Sequence, residues 1–273
     1  MKLHDHLLTD DNGIPFPLHE SPNKSGTITP GYLVIHYTAG RSAEGSISWL
    51  TNPNAKASAH LVISRDGQIA QLVPFNLKAW HAGESRWAGR SGVNGFSIGI
   101  ELDNPGVLQK RVRGWTNAWG DPVDDANVIE AAHKNGGPVR GWHDYGRSQL
   151  DTLRQVAIAL VGEYRLVDII GHDDVAPERK TDPGPAFPME SLRAALFGRD
   201  ADSPKVCVAT TRLNVRSGPG VDHDRLAFSP LAQGTRMEIL AESGVWRQVD
   251  VLEAVNGETH LTGWVHSHYI APA

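Results

Sequence analysis

The chain has a single cysteine, Cys207, among 273 residues, so an internal disulfide is excluded and the fold is compatible with a reducing compartment. It lacks any apolar run of the roughly 20 residues that a membrane-spanning helix needs. The opening segment MKLHDHLLTDDNG carries one lysine but no apolar stretch of secretory length. These absences predict a soluble product made in the cytoplasm without a Sec signal. A basic excess is also missing. Against 26 Lys and Arg stand 31 Asp and Glu, a formal net charge of -5, which argues against a nucleic-acid partner. The short run Lys110-Arg111-Val112-Arg113 reads as a solvated loop. What is present is 40% hydrophobic residues, enough to bury a sizeable core in one large domain or two unequal ones.

The densest chemistry lies in GHDDVAPERKTDPGP, residues 171–185, directly after the apolar run 166–170. A strand ending in His172, followed within ten residues by Lys180 and Asp182 amid Pro and Gly, reads as half of a metal site with a built-in cation. A catalytic zinc takes three protein ligands and keeps a fourth position for water. The missing donor is His36, which ends the β-rich run Tyr32-Leu33-Val34-Ile35 between Pro30-Gly31 and Thr38-Ala39-Gly40. A mixed nitrogen and oxygen set with one open position favours Zn2+ over calcium or magnesium.

Along the chain, residues 1–30 read as an irregular entry segment, and its His4 and His6 lie outside any periodic element. A short helix over 42–50 stops at Asn52-Pro53. Runs 59–64 and 68–73 flank Arg65-Asp66-Gly67 as a hairpin. The strand 96–102 puts Ile98 and Ile100 on one face, so Ser97, Gly99 and Glu101 fall on the other. Residues 103–146 show little period and predict a long loop walling a cleft. A helix over 148–164 carries Leu150, Leu153, Val156, Leu160 and Val161 at helical spacing, and a last helix spans 189–197. Residues 199–205 are small, charged and turn-forming, a linker; from 206 to 273 short alternating runs separated by turn residues predict a small all-β barrel. Strands and helices interleave in 1–198, an α/β class, followed by the barrel.

The segments VIHYTAG around His36, SAHLVISRDGQIAQLVP, AWHAG around His81, FSIGIELDN around Glu101 and GHDDVAPERKTDPGPAFP appear in that order. Together they resemble the zinc-dependent N-acetylmuramoyl-L-alanine amidases, more narrowly the type-2 amidases shared with phage endolysins, muropeptide-recycling amidases and animal peptidoglycan recognition proteins. The resemblance covers about 28–197 and implies that the strands form a mixed central β-sheet flanked by helices. Likewise LNVRSGPG, with Gly263-Trp264-Val265 and Tyr269-Ile270, is similar to bacterial SH3-like domains, which often accompany wall hydrolases and grip wall peptide or glycan. One departure is Met189, where many relatives carry an aromatic after the Phe-Pro pair.

The resemblance implies zinc on His36, His172 and Asp182, the trio reached from spacing. It further implies that Glu101 takes a proton from the zinc-bound water and that Lys180 steadies the oxyanion. The implied substrate is peptidoglycan or a muropeptide, cut between the lactyl group of N-acetylmuramic acid and L-alanine. His81 either lines the cleft and contacts substrate or packs against Trp80. His60 reads as a core residue or one behind the ligands, Tyr37 as facing away from them, and Trp115, Trp119 and Trp142 as sugar platforms or loop core. Two other functions share these motifs: a non-catalytic peptidoglycan-binding protein and a zinc peptidase acting on stem peptides. Without an export signal, the wall is reached through lysis, a holin or a secretion machine, or the enzyme trims recycled fragments in the cytoplasm. Oligomeric state is left open.

Overall fold

The computed structural model describes residues 1–198, 205–258 and 261–272. The chain divides into two compact units, Met1–Gly198 and Arg199–Ala273. Of the predicted linker, 199–204 lie outside the described residues.

The first unit is built on a five-stranded sheet. In chain order its strands are β1 (Tyr32–Tyr37), β2 (Leu61–Ile63), β3 (Ile69–Gln71), β4 (Ser97–Leu102) and a later strand, Asp168–Gly171. Spatially the order is Asp168–Gly171, β1, β4, β2, β3, parallel throughout except for the β2–β3 hairpin at one edge. Gly67 in that hairpin turn sits at φ +90, the left-handed region that glycine enters without steric cost. Parallel strands covered on both faces read as nearly continuous apolar runs, as Tyr32-Leu33-Val34-Ile35 does.

Register sets the faces. Ile98 opposes Leu33 and Ile100 opposes Ile35. These four join Leu153, Val156, Ala157 and Leu160 of a long helix, Arg147–Tyr164, in the main core. A helix over Met189–Phe197 adds Leu192 to the same side. The opposite face carries Val34 and Ile170 with Ala82, Val93 and Phe96, and a short helix, α1 (Ala43–Leu50), packs beside it over Val62 and Leu72. Ser42 caps α1 by accepting from the Gly45 amide at 3.2 Å.

Two regions differ from the reading above. Residues 103–146 contain a second five-stranded antiparallel sheet: β5 (Val107–Arg111), β6 (Gly114–Thr116), β7 (Pro122–Val123), β8 (Val128–Ala131) and β9 (Arg140–His143), ordered β7-β6-β5-β9-β8. Its strands have two to five residues, too short to show a period, and Trp115 and Trp142 are buried within it while Trp119 is exposed. The first 30 residues include ribbons as well: Lys2–His4 pairs with Leu7–Thr9, and Lys24–Thr27 with Leu77–Ala79. The long helix is α2 below, Asp168–Gly171 is β10, the turn His172–Val175 is α3 and Met189–Phe197 is α4.

The second unit is an antiparallel sheet of β11 (Lys205–Ala209), β12 (Arg236–Ser243), β13 (Trp246–Val251), β14 (Leu261–His266) and β15 (Ile270–Pro272), ordered β14-β13-β12-β11-β15. Its own core holds Val215, Leu231, Met237, Val249 and Val265, with Cys207 among them as a small apolar residue.

Candidate metal centre

The register that builds the sheet also builds the site. β1 ends at His36, and β10 runs parallel beside it with Gly171 opposite Ile35, so His172 follows where the two strand ends meet. The chain then loops back, and the Asp173 amide donates to the Asp182 carbonyl at 2.8 Å, bringing Asp182 under both imidazoles. His36 Nδ1 and His172 Nδ1 lie 2.9 Å apart, and Asp182 Oδ2 is 2.9 Å from the first and 2.8 Å from the second. All three residues are buried.

This donor set fits a divalent cation. Two imidazole nitrogens and a carboxylate oxygen face one another with their acceptor atoms inward, and the His172 Nε2–H is taken by the Ala82 carbonyl at 3.1 Å, leaving Nδ1 as its inward lone pair. Burial, then the neighbouring charge of His172, lowers the His36 pKa to about 4, so this ring is neutral at pH 7, the form a metal requires. Burial alone would raise Asp182, but hydrogen bonds with His172 and His36, which exist only while a ring turns a proton toward Oδ2 as before a metal binds, outweigh it and hold the carboxylate well below its usual range. Zinc bonds of about 2.0–2.2 Å need such donors roughly 3.3 Å apart, a spreading of a few tenths of an ångström.

Glu101 opposes His36 directly in the β1–β4 register and so shares its face. Its Oε2 is sealed from solvent without a hydrogen-bond partner among the described residues. Burial, reinforced by the charge of Asp182 and opposed by Lys180, pushes its carboxyl well above the usual carboxylate range. Lys180 is half-buried on the loop after α3, where its charge acts on both His36 and Glu101.

His81 stands behind the three donors. It is 8% exposed, with Nδ1 3.1 Å from His36 Nε2 and Nε2 3.2 Å from Ser97 Oγ. Both ring nitrogens thus face protein groups. His60, deeper still, accepts from the Gly99 amide at Nδ1 and donates from Nε2 to the Leu77 carbonyl, both at 2.9 Å. His4 and His6 belong elsewhere: His6 bonds the Tyr164 hydroxyl at 2.8 Å, and His4 lies 3.2 Å from Asp5.

Several neighbours escaped the sequence reading. The Tyr37 hydroxyl reaches Thr181 Oγ1 at 2.7 Å, so this side chain meets the loop that carries Asp182 instead of pointing away. Arg179 donates to the carbonyls of Ala82 and Glu84 at 2.8 and 2.7 Å. Buried Asp173 accepts from His133 Nε2 at 3.0 Å and pairs with Lys134 at 2.8 Å, fastening the loop before β9 to the turn that begins with His172. A cavity of ≈150 Å³ opens there, lined by His133, Arg140, Trp142 and Thr181 among others.

Residues 26–185 match the protein family described as N-acetylmuramoyl-L-alanine amidase, and residues 211–271 the bacterial SH3 domain. The chain is 32% identical over 215 residues to the 1,6-anhydro-N-acetylmuramyl-L-alanine amidase AmpD of Enterobacter cloacae, covering 72% of this chain and 95% of that one. It is 42% identical over 180 residues to N-acetylmuramoyl-L-alanine amidase A of Achromobacter lyticus, 65% of this chain and 90% of that one. Among solved structures, the crystal structure of a selenomethionine AmpD derivative is similar at a TM-score of 0.51 and 29% identity, covering 72% of this chain and 99% of that one.

Proposed function

Because the chain belongs to the N-acetylmuramoyl-L-alanine amidase family, we propose that His36, His172 and Asp182 hold a zinc ion, with Glu101 as proton carrier and Lys180 as the cation beside the developing oxyanion. The reaction is hydrolysis of the amide joining the lactyl group of N-acetylmuramic acid to the L-alanine of the peptidoglycan stem peptide. One observation carries the assignment of the ligands: three donor atoms, from residues up to 146 positions apart, converge to within 2.9 Å of one another.

Zinc bound there supplies a Lewis acid that lowers the pKa of water toward neutrality and polarises the amide carbonyl. Glu101, on the same face as His36 and without a partner for Oε2, takes a proton from water and hands it to the departing nitrogen of L-alanine. One residue can serve in both directions because its carboxyl, raised by burial, holds a proton more readily than an exposed glutamate. Lys180 places a fixed positive charge where the carbonyl oxygen becomes negative, a contribution on the order of 3 kcal/mol in comparable oxyanion sites.

The second unit favours polymeric wall as the substrate, since a module of the bacterial SH3 type retains the enzyme on a polymer and gives no advantage with small soluble fragments. Two measurements test this reading. Mass analysis of digested peptidoglycan is expected to show stem peptides with free L-alanine amino termini; internal peptide cuts mean a peptidase, and unchanged wall means a binder. Rates on intact sacculi and on soluble 1,6-anhydro muropeptides separate wall digestion from recycling, and activity confined to the soluble substrate overturns the polymer assignment.

A further inference from the structure

Each metal-binding imidazole has an outward nitrogen, and what that nitrogen touches decides whether the inward one carries a lone pair or a proton. For His172 the partner is a backbone carbonyl, Ala82 O, which can only accept. For His36 the partner is His81, a ring that can present either a proton or a lone pair. The outcome is set one step further back. Ser97 Oγ donates its only proton to the Val93 carbonyl at 2.7 Å, so toward His81 Nε2, 3.2 Å away, it must accept. His81 therefore carries its proton at Nε2 and offers a lone pair at Nδ1. His36 Nε2–H donates to that lone pair, and His36 Nδ1 is left as the nitrogen that would face the metal.

We propose that His81 is a positioning residue and not a substrate contact: keyed by Ser97, it fixes the tautomer and the ring angle of His36, and the segment His81–Ala82 sets both histidine ligands at once. The segment is itself pinned. Asn94 Oδ1 accepts from the amides of His81 at 3.1 Å and Ala82 at 2.7 Å, and Arg179 holds the Ala82 carbonyl from the other side at 2.8 Å. Space for the ring is reserved by Gly99, where an added Cβ would lie 2.3 Å from His81 Cγ. Ser97, Gly99 and Glu101 alternate along one face of β4, so one strand supplies the key, the room for the ring and the proton carrier.

The inference rests on the metal reading above, and its test keeps the two apart. Zinc dissociation constants are measured on metal-free protein by competition with a chelating dye, for wild type, His81→Leu, His81→Asn and Ser97→Ala. Outer-partner loss at a metal-bound histidine weakens metal binding about 10- to 100-fold. His81→Leu, which fills the space without an acceptor, is expected to show a loss of that order with an unchanged KM for a soluble muropeptide. Ser97→Ala should lose less. His81→Asn, whose Oδ1 matches the position of Nδ1, should recover most of the affinity. A His81→Leu protein that binds zinc as tightly as wild type but with a raised KM overturns the proposal and restores a substrate contact. A His81→Asn protein as defective as His81→Leu overturns it as well. Failure of the wild type to bind zinc at all overturns the metal reading itself.

Discussion

Replacing Glu101 by Gln keeps the side-chain shape and removes the proton acceptor. General base catalysis contributes about 10²- to 10⁴-fold, or roughly 3–5 kcal/mol of barrier. The surroundings place the loss in the upper half of that range, because the histidines and the carboxylate beside it, among the described residues, are already engaged. Both nitrogens of His81 and both of His60 are engaged, and Asp182 is shared between two imidazoles. The expected result is a kcat lowered by about 10³-fold or more with one zinc per chain retained, since Glu101 is outside the trio of donors. Stability should move the other way. A carboxyl whose folded pKa is raised makes the folded state less favourable as pH climbs from its unfolded value through the raised one, and Gln abolishes that dependence. Metal-free Glu101→Gln should therefore melt above the metal-free wild type at pH 8, and the gap should close near pH 4. The assays are steady-state release of stem peptide, metal analysis and thermal melts at two pH values. Zinc lost with the substitution would make Glu101 a ligand; a kcat within tenfold of wild type would remove it from the reaction.

Chelation should abolish hydrolysis and added zinc should restore it, measured as stem-peptide release; full activity in a metal-free preparation refutes the mechanism. His60, buried and lowered to about 4 by burial first, is neutral when folded but titrates near 6.5 when unfolded. Its contribution is complete above pH 6.5 and disappears as pH falls to about 4, a loss on the order of 3 kcal/mol. Denaturant melts across that window should show this acid slope flattened in His60→Leu, whatever its overall stability. Leu153→Ala, at a site 0% exposed between α2 and the sheet, should reduce unfolding free energy by about 2–5 kcal/mol in urea titrations without changing KM.

The parts of the fold that could be read from the sequence are those where one periodic signal dominates. β1 and β4 are apolar runs, and α2 repeats its apolar residues every three to four positions, so their ranges came within a residue or two of those observed. The sheet of β5 to β9 gave no such signal. Its strands are short, its buried residues Leu108, Trp115 and Trp142 show no period, and its register depends on partners up to 35 positions away, as Val107 opposite Trp142. A stretch whose order comes from cross-strand pairing looks featureless in one dimension. The same holds for the ribbon Lys24–Thr27, which pairs with Leu77–Ala79 some 50 residues later.

The site divides along the same line. That His36, His172 and Asp182 come together was legible because chemistry restricts which residue types form a donor cluster, and the ends of two apolar runs restrict where they sit. His81 was legible as a histidine of interest but not in its direction. Nothing in Trp80-His81-Ala82-Gly83 tells which way the ring points, and the deciding residues, Ser97, Gly99 and Asn94, lie 13 to 18 positions downstream on another element. Yet part of the answer lies in the alternation Ser97-Ile98-Gly99-Ile100-Glu101. Two small residues preceding an acid on the polar face of a buried parallel strand mark a place where something large must fit against the backbone. In this chain that object is the imidazole of His81, which a Cβ on Gly99 would meet at 2.3 Å, and that close fit is what sets the ring against His36 Nε2 in the arrangement proposed above.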